Sequence, residues 1–401
     1  MSGRGHKPGT DDAMPLAAQY LPFHRPSLGA AEERAVIEVL RSGWLTRGRK
    51  TAEFEEMFAD FVGARHAIAL NSCTAGLHLA LLCAGIGPGA EVITTPFTFA
   101  ATANVILHTG AKVVFADIDP ASLNLDPAQV GNLITTRTRA LLPVHFGGQP
   151  CDMTRIRGLA RRHGLAVIED AAHALGASFG NRPIGSLSDF TAFSFYATKN
   201  ITTGEGGMLT TNNDDLASRA RVLSLHGMSV DSWQRYGRSG HSYYEVQEPG
   251  FKYNMFDLQA ALGVEQLKRC DEMTARRREL AALYDRELAD CPFVELLRSP
   301  SCNEDAHHLY VVRLRLERLR LDRDGIAGAM ENQNIGVSVH FHALHRHPYY
   351  RKRYGFNPAD FPIANEMSDR VLSLPLYPSL TDEGATRVAS VLRAVLEHHS
   401  A

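Results

Sequence analysis

The sequence predicts an α/β fold, with a large domain built on a mainly parallel sheet of seven strands and a smaller C-terminal α+β domain. From about residue 64 to residue 212, short apolar runs alternate with helical patterns. These runs are rich in Val, Ile, Leu and Phe with little polar alternation, which is typical of strands covered by helices on both faces. The seven predicted strands are HAIAL, EVITT, KVVFADI, ALLPVHF, LAVIED, TAFSF and GMLTT.

The rest of the chain divides around this sheet. Residues 1–25 are rich in Gly, Pro and polar groups and predict a flexible leader, so the large domain is expected to span 26–256. One long helical pattern from about 257 to 290 predicts a connector helix, which places the small domain within 257–401. In that domain we expect a strand in HHLYVVRLRL, a helix near 323–333 and a last helix from about 381 to 398.

Composition narrows the possible partners. The 401 residues include 44% hydrophobic and 21% charged residues and have a formal net charge of −2, which gives no reason to expect nucleic acid or an anionic membrane as a partner. The six cysteines form no CxxC pair, which favours reduced thiols, and no apolar stretch approaches the length of a membrane span. We therefore expect a cytoplasmic protein.

A lone lysine stands in a stretch with a serine before it and glycines after it, SFYATKNITTGEGG, where Lys199 follows a predicted strand. Ligands of such sheets bind at the carboxyl ends of the strands. Another strand leads into a helix through NSCTAG, where the N–H groups of residues 72–76 and the Thr74 hydroxyl could hold an anion. Simple capping of that helix by Asn71 or Ser72 explains the same residues.

Two further strand ends carry candidate groups. In LAVIEDAAHALG, strand alternation sends Glu169 and Asp170 to opposite sides, so one carboxylate could hold a cationic ring nitrogen or could cap the next helix. His173 is either a core histidine or part of the same site. Phe97 and Phe99 follow another strand, and either is as well explained by the core as by stacking on a ring.

Together these groups match what pyridoxal phosphate (PLP) requires: an amine, a carboxylate for the pyridinium nitrogen and donors for the phosphate, with Ser194 as a further candidate donor. At a pKa near 10.4 only about four lysines in ten thousand are neutral at pH 7. Burial or nearby positive charge must therefore lower the pKa of Lys199 before its amine is useful.

The ordered segments NSCTAGLHLAL, PFTFAATANVI, EDAAHALG and SFYATKNITTGEGGMLTT resemble the DegT/DnrJ/EryC1/StrS family of PLP-dependent sugar aminotransferases, of fold type I, from about residue 22 to the C-terminus. The resemblance implies that Lys199 carries PLP and moves the proton during transfer. It also implies that Asp170 pairs with the pyridinium nitrogen, that Phe99 covers the ring and that His173 lies near the ring hydroxyl. The residues it assigns to the phosphate are Thr74, Ala75 and Ser194.

The resemblance also implies a homodimer with shared active sites. PGFKYNMFDLQAALG matches the segment that reaches into the partner's site, where either Lys252 or Asn254 occupies the position of a phosphate-binding amide; we favour Asn254. Trp44 and Thr46 in SGWLTRG, and His340 in HFHALHRHPYY, are expected near the substrate. We expect no metal site in the histidine-rich loop.

The resemblance further implies transfer of the amino group of L-glutamate, which leaves as 2-oxoglutarate, to a keto sugar on a nucleotide diphosphate. Within the family, ATKNITTGEGG, GFKYN and HFHALHRHPYY look closest to enzymes that aminate C4, here of a UDP- or dTDP-4-keto sugar. A sugar dehydratase of the same family typically has His in place of the lysine, so Lys199 argues against it. An aminocyclitol aminotransferase acting on a substrate such as scyllo-inosose, and a non-catalytic regulator that binds PLP or a sugar nucleotide, remain as alternatives.

Overall fold

The fold is organised around one large sheet. A computed structural model describes residues 19–228, 244–297 and 303–401. In strand order β1-β9-β8-β5-β4-β2-β3, every neighbouring pair is parallel except the two pairs made by β9. The seven predicted strands are thereby confirmed as β1 His66–Leu70, β2 Glu91–Thr94, β3 Lys112–Phe115, β4 Thr138–Leu141, β5 Ala166–Asp170, β8 Phe190–Ser194 and β9 Gly207–Thr211.

Helices cover both faces of the sheet. Successive strand residues enter different apolar cores: Ile68 and Leu70 pack on one face, and Ala67 and Ala69 pack on the other. This two-sided burial explains why the strands lack polar alternation. The helices up to the end of the sheet are α1 Ala30–Ser42, α2 Arg49–Val62, α3 Cys73–Cys83, α4 Ala100–His108, α5 Pro127–Leu133, α6 Met153–His163 and α7 Asp214–Ser224.

A second, antiparallel sheet of three strands lies in the C-terminal part, in the order β10-β12-β13. It has its own apolar core, to which Tyr284, Val312 and Leu392 contribute. We propose that this core and the core of the large sheet correspond to the two expected domains. The C-terminal elements are α9 Cys270–Leu288, β10 Val294–Leu296, β12 Tyr310–Leu314, α10 Arg323–Asn332, α11 Pro348–Tyr354, α12 Pro362–Arg370, β13 Val371–Leu374 and α13 Asp382–His398.

A small three-stranded sheet joins the two parts of the chain. Its strands are β6 Ser178–Phe179, β7 Arg182–Pro183 and β11 Asn303–Glu304, with β6 in the centre. In residues 19–228, 244–297 and 303–401, no helix is both long and apolar enough to cross a membrane.

The predicted connector is two helices rather than one. The pattern from 257 to 290 divides into α8 Asp257–Lys268 and α9, because the backbone at Arg269 leaves helical geometry (φ −108°, ψ 4°). The Arg269 side chain lies against the start of the large domain, 3.2 Å from both Glu32 Oε1 and Ser27 Oγ. Nothing in the local apolar period signals this break.

The ordered chain begins before residue 26. Residues 1–18 of the expected leader lie outside the described residues. Leu21, which we expected to be in the flexible part, instead pairs with the C-terminal part: its N–H donates to the Asn334 carbonyl and its carbonyl accepts from the Gly336 N–H, both at 2.9 Å. This pairing places Phe23 in the wall of a cavity beside the carboxyl ends of the strands of the large sheet.

Candidate active site

A cavity of about 470 Å³ opens beside the carboxyl ends of the strands, as expected for this kind of sheet. It brings together residues that are more than 200 positions apart in the chain. The predicted site residues that line it are Thr74, Phe99, Asp170, His173, Ser194, Lys199 and His340.

Asp170 ends β5 inside this cavity and is 5% exposed. Its Oδ2 accepts from the Thr102 hydroxyl at 2.8 Å and its Oδ1 accepts from the Ala172 N–H at 3.1 Å. Glu169 turns the other way, where its Oε2 lies 2.8 Å from Nε2 of the buried His145. Burial raises the pKa of Asp170, and the hydrogen bonds from Thr102 and Ala172 limit that rise.

Lys199 lies in the turn after β8, where its N–H donates to the Tyr196 carbonyl at 2.9 Å. Burial lowers the pKa of its amine to about 8. The Cys73 thiol and the Asp170 carboxylate both oppose this lowering of the Lys199 pKa. Because burial raises the pKa of Cys73, its thiol is neutral, and the negative charge that acts on the amine is that of Asp170. With a pKa of about 8, roughly a tenth of the amine is neutral at pH 7, and this lowering has the direction that the expected activation requires.

Neutral histidines surround the amine. His173 Nδ1 accepts from the Gly147 N–H at 3.3 Å, which leaves the ring proton on Nε2, and its ring stacks on Phe341 with centroids 5.9 Å apart. His340 is hydrogen-bonded through Nδ1 to Ser373 Oγ at 2.9 Å. Burial, followed by the charge of Lys199, lowers the pKa of His173 well below its usual value and that of His340 to about 4.

The predicted anion site lies at the N-terminus of α3. Ser72 Oγ accepts from the Ala75 N–H at 3.1 Å, so this amide is used in the helix cap and Ala75 itself is buried. Thr74 is exposed toward the cavity. Gly207 permits this arrangement, because a Cβ there would overlap the backbone of Ser72 and Cys73.

Phe97 and Phe99 lie in different environments, one in the core and one at the cavity. Phe97 is fully buried in the core, whereas Phe99 precedes α4 and is 67% exposed at the cavity. A large apolar side chain in this position is available to cover a bound ring.

Four predicted site residues do not line the cavity of their own chain: the buried Ala75, and also Asn254, Trp44 and Thr46. Asn254 donates through Nδ2 to the Met255 carbonyl at 3.0 Å, and its buried Oδ1 has no hydrogen-bond partner among the described residues. Trp44 donates through Nε1 to the Arg47 carbonyl at 3.2 Å, and the Thr46 carbonyl accepts from the Asp257 N–H at 3.3 Å. This loop and Asn254 therefore stand apart from Lys199 within one chain.

Sequence reasoning missed several cavity residues: Phe23, Cys73, Thr98, Thr102, His308 and Phe341. Thr98 and Thr102 stand four residues apart at the start of α4, a spacing that could have signalled them. His308 had no such signal, because it comes from a distant segment; its Nδ1 lies 3.1 Å from Asn200 Oδ1.

The histidines of the loop HFHALHRHPYY could by their number suggest a metal site. Within the parts of the chain that the structure describes, no three His, Cys, Asp or Glu side chains are grouped so as to hold a metal ion. His345 in this loop is 1% exposed rather than open to the cavity.

The donor set fits PLP. A buried carboxylate, a lysine with a lowered pKa and the N-terminus of a helix lie around one cavity, as a pyridinium nitrogen, an aldehyde carbon and a phosphate require. Asp170, Lys199, Thr74 and Ser194 are the residues that would hold these three parts.

Comparisons with known proteins agree with this geometry. The sequence profile of the DegT/DnrJ/EryC1/StrS aminotransferase family matches residues 26–393. The spore coat polysaccharide biosynthesis protein SpsC of Bacillus subtilis (strain 168) is 52% identical over 382 residues, which cover 94% of this chain and 97% of SpsC.

Solved structures are similar over the same length. Spr1654 of Streptococcus pneumoniae in its PMP-form superposes with a TM-score of 0.89 at 32% identity, covering 94% of this chain and 99% of that one. DesI in the presence of its TDP-sugar product gives a TM-score of 0.84 at 34% identity, covering 95% of this chain and 94% of DesI. The chain therefore belongs to the DegT/DnrJ/EryC1/StrS aminotransferase family and is a PLP-dependent aminotransferase.

Proposed function

We propose that the enzyme transfers the amino group of L-glutamate to C4 of a keto sugar carried on a nucleoside diphosphate. The observation that carries this proposal is a buried lysine of lowered pKa at the same cavity as Asp170, in a chain similar to DesI, which was solved with a TDP-sugar product. The similarity to SpsC, a polysaccharide biosynthesis protein, supports a sugar as the acceptor.

PLP bound at this site supplies an electron sink for the substrate carbon that loses or gains a proton. With PLP bound, Lys199 Nζ would take the proton from the donor carbon and return it during transfer, and would act in the reverse order with the acceptor. Its pKa of about 8 lets the amine both accept and return a proton near neutral pH. Asp170 would hold the ring nitrogen in its protonated form.

Other side chains bind and orient. Thr74 and Ser194 line the cavity beside the α3 N-terminus and hold the phosphate together with free N–H groups there. Phe99 would cover the ring, and the neutral His173 would donate from Nε2 to the ring hydroxyl. His340, whose ring centroid lies 6.4 Å from that of His173, would contact the sugar.

We further propose a homodimer whose sites are shared. Asn254 lies outside its own cavity, and Nδ2 donates one of its two protons to the Met255 carbonyl, so the second proton is available to a phosphate in the site of a second copy. Large apolar side chains are exposed at the cavity and near α8, among them Phe99, Tyr196 and Phe256. Covering them by a second copy would stabilise such a dimer. Trp44 and Thr46 would then face the partner's substrate.

The test separates donor from acceptor. The PLP-loaded protein is mixed with L-glutamate, and release of 2-oxoglutarate is measured. The aminated protein is then offered a UDP-4-keto sugar, a dTDP-4-keto sugar or scyllo-inosose, and the aminated product is identified by mass spectrometry and NMR.

Amination at C4 of either nucleotide sugar supports the proposal. Amination of scyllo-inosose alone would replace it with an aminocyclitol aminotransferase. A lack of turnover with every acceptor, after glutamate has been consumed, would contradict sugar nucleotides as substrates.

We include a cytoplasmic location in the proposal, because the five cysteines within the described ranges are all free, as expected in a reducing compartment.

A further inference from the structure

Two threonine hydroxyls lead to the carboxylate of Asp170. Thr102, in the first turn of α4, is fully buried, and its hydroxyl lies 2.8 Å from Asp170 Oδ2. Thr98 Oγ1 lies 2.8 Å from Thr102 Oγ1, and Thr98 is 2% exposed. Both threonines line the cavity that contains Lys199.

The direction of both hydrogen bonds follows from chemistry. An ionised carboxylate only accepts, so Thr102 must donate its single hydroxyl proton to Asp170. Thr102 then has only lone pairs left for Thr98, so Thr98 donates to Thr102. The two side chains therefore form a one-way relay that ends on Oδ2.

The other acceptor positions of Asp170 can be counted. A carboxylate offers about four lone-pair positions, two on each oxygen. Oδ1 accepts from the Ala172 N–H at 3.1 Å and, weakly, from the Cys73 thiol at 4.0 Å. Thr102 uses one position on Oδ2, so a single position on Oδ2 is left for another donor.

We propose that Thr102 is a positioning residue that turns the Asp170 carboxylate so that this last position on Oδ2 faces the ring nitrogen of PLP, and that Thr98 fixes the Thr102 hydroxyl. The inference rests on the proposed pairing of Asp170 with that nitrogen. Thr102 itself acts through Asp170.

The relay also affects the charge of the carboxylate. The titratable groups that act on the charge of Asp170 are the Cys73 thiol from α3, the Lys199 amine after β8 and, from the Glu169 side of β5, the His145 ring. Burial raises the pKa of Asp170, and the Thr102 hydroxyl is the largest of the contributions that lower it. Removing the hydroxyl therefore makes Asp170 easier to protonate, which weakens its hold on a cationic nitrogen.

The experiment compares Thr102→Val, which keeps the side-chain shape, with Thr102→Ser, which keeps the hydroxyl. The visible spectrum of the PLP-loaded protein is recorded as pH is lowered, and the affinity for PLP is measured separately. In Thr102→Val we expect the low-pH spectral midpoint to rise by about one pH unit and PLP to bind about tenfold more weakly, since a hydrogen bond to a charged group is lost. Thr102→Ser should behave as the wild type.

Asp170→Asn tests the pairing on which the inference rests. If Asp170→Asn alters the spectrum but Thr102→Val has the wild-type midpoint and affinity, the relay is refuted and the proposed function stands. If Asp170→Asn has no effect on the spectrum, the pairing itself is wrong. Should Thr102→Val fail to fold, Thr98→Val decides: a smaller upward shift supports the relay, and no shift overturns it.

Discussion

The buried histidine of the histidine-rich loop makes the stability of the protein depend on pH. His345 is 1% exposed, its ring lies 5.0 Å from that of Phe361, and neither ring nitrogen has a hydrogen-bond partner within the described part of the chain. Burial lowers its pKa to about 4, while nearby Asn365, Asp117 and Asp360 limit the fall. Replacing it by Phe, His345→Phe, should remove the part of this dependence that comes from His345.

The sign follows from proton uptake. The pKa of His345 is lower in the folded protein than in the unfolded chain, so near pH 6.5 the unfolded chain binds a proton and the folded protein does not. The contribution of His345 to the free energy of unfolding is therefore fully present above that pH and is lost as the pH drops toward 4. With pKa values of about 4 folded and about 6.5 unfolded, the loss between pH 7.5 and pH 5.5 is on the order of 1 kcal/mol for this one histidine.

Urea unfolding of the wild type and His345→Phe at both pH values measures this difference. The free energy of unfolding of the variant should fall by about 1 kcal/mol less than that of the wild type between the two pH values. Any change in packing caused by Phe affects both pH values alike and cancels. Leu344→Met, which alters a neighbouring buried side chain without removing a titratable group, should keep the wild-type pH dependence. Equal losses in wild type and His345→Phe would refute the reasoning.

Three further predictions concern the active site. Lys199→Ala should remove borohydride-stable attachment of PLP and lower turnover by at least about 10²; retention of turnover near the wild-type rate would contradict the assigned role. Gly207→Ala should weaken PLP binding and destabilise the fold by more than about 2 kcal/mol, because the added Cβ overlaps the backbone at Ser72 and Cys73; thermal unfolding and PLP titration measure both, and an unchanged melting temperature would argue against this contact. Asn254→Ala should weaken PLP binding about tenfold, and mixing it with Lys199→Ala chains should restore activity, because a mixed dimer has one intact site; no recovery on mixing would speak against shared sites.

The sheet was predictable because its signal is local. Each strand, such as HAIAL or LAVIED, is a short apolar run, and being buried on both faces is a property of the run itself. The carboxyl-edge rule then places Asp170, Lys199 and Thr74 around one cavity, although they lie far apart in the chain.

Parts of the C-terminal region were less predictable. β13 and the helices α11 and α12 were not expected, and residues 336–344 contribute a single bridge, Ser338 to Ser373. These elements are short, and whether they form depends on packing against the core of the second sheet.

The sequence by itself determined the α/β class, the strands, the amine and the carboxylate. Each of these depends on the hydrophobic period, the strand ends or the residue types within a short segment. Only the tertiary structure decided that Phe23 forms a cavity wall, that Thr98 and Thr102 act on Asp170, and that Lys199 has a pKa of about 8. Those properties arise from burial and from contacts between segments far apart in the chain, and the free energy of such contacts depends on three-dimensional distance, which no local pattern records.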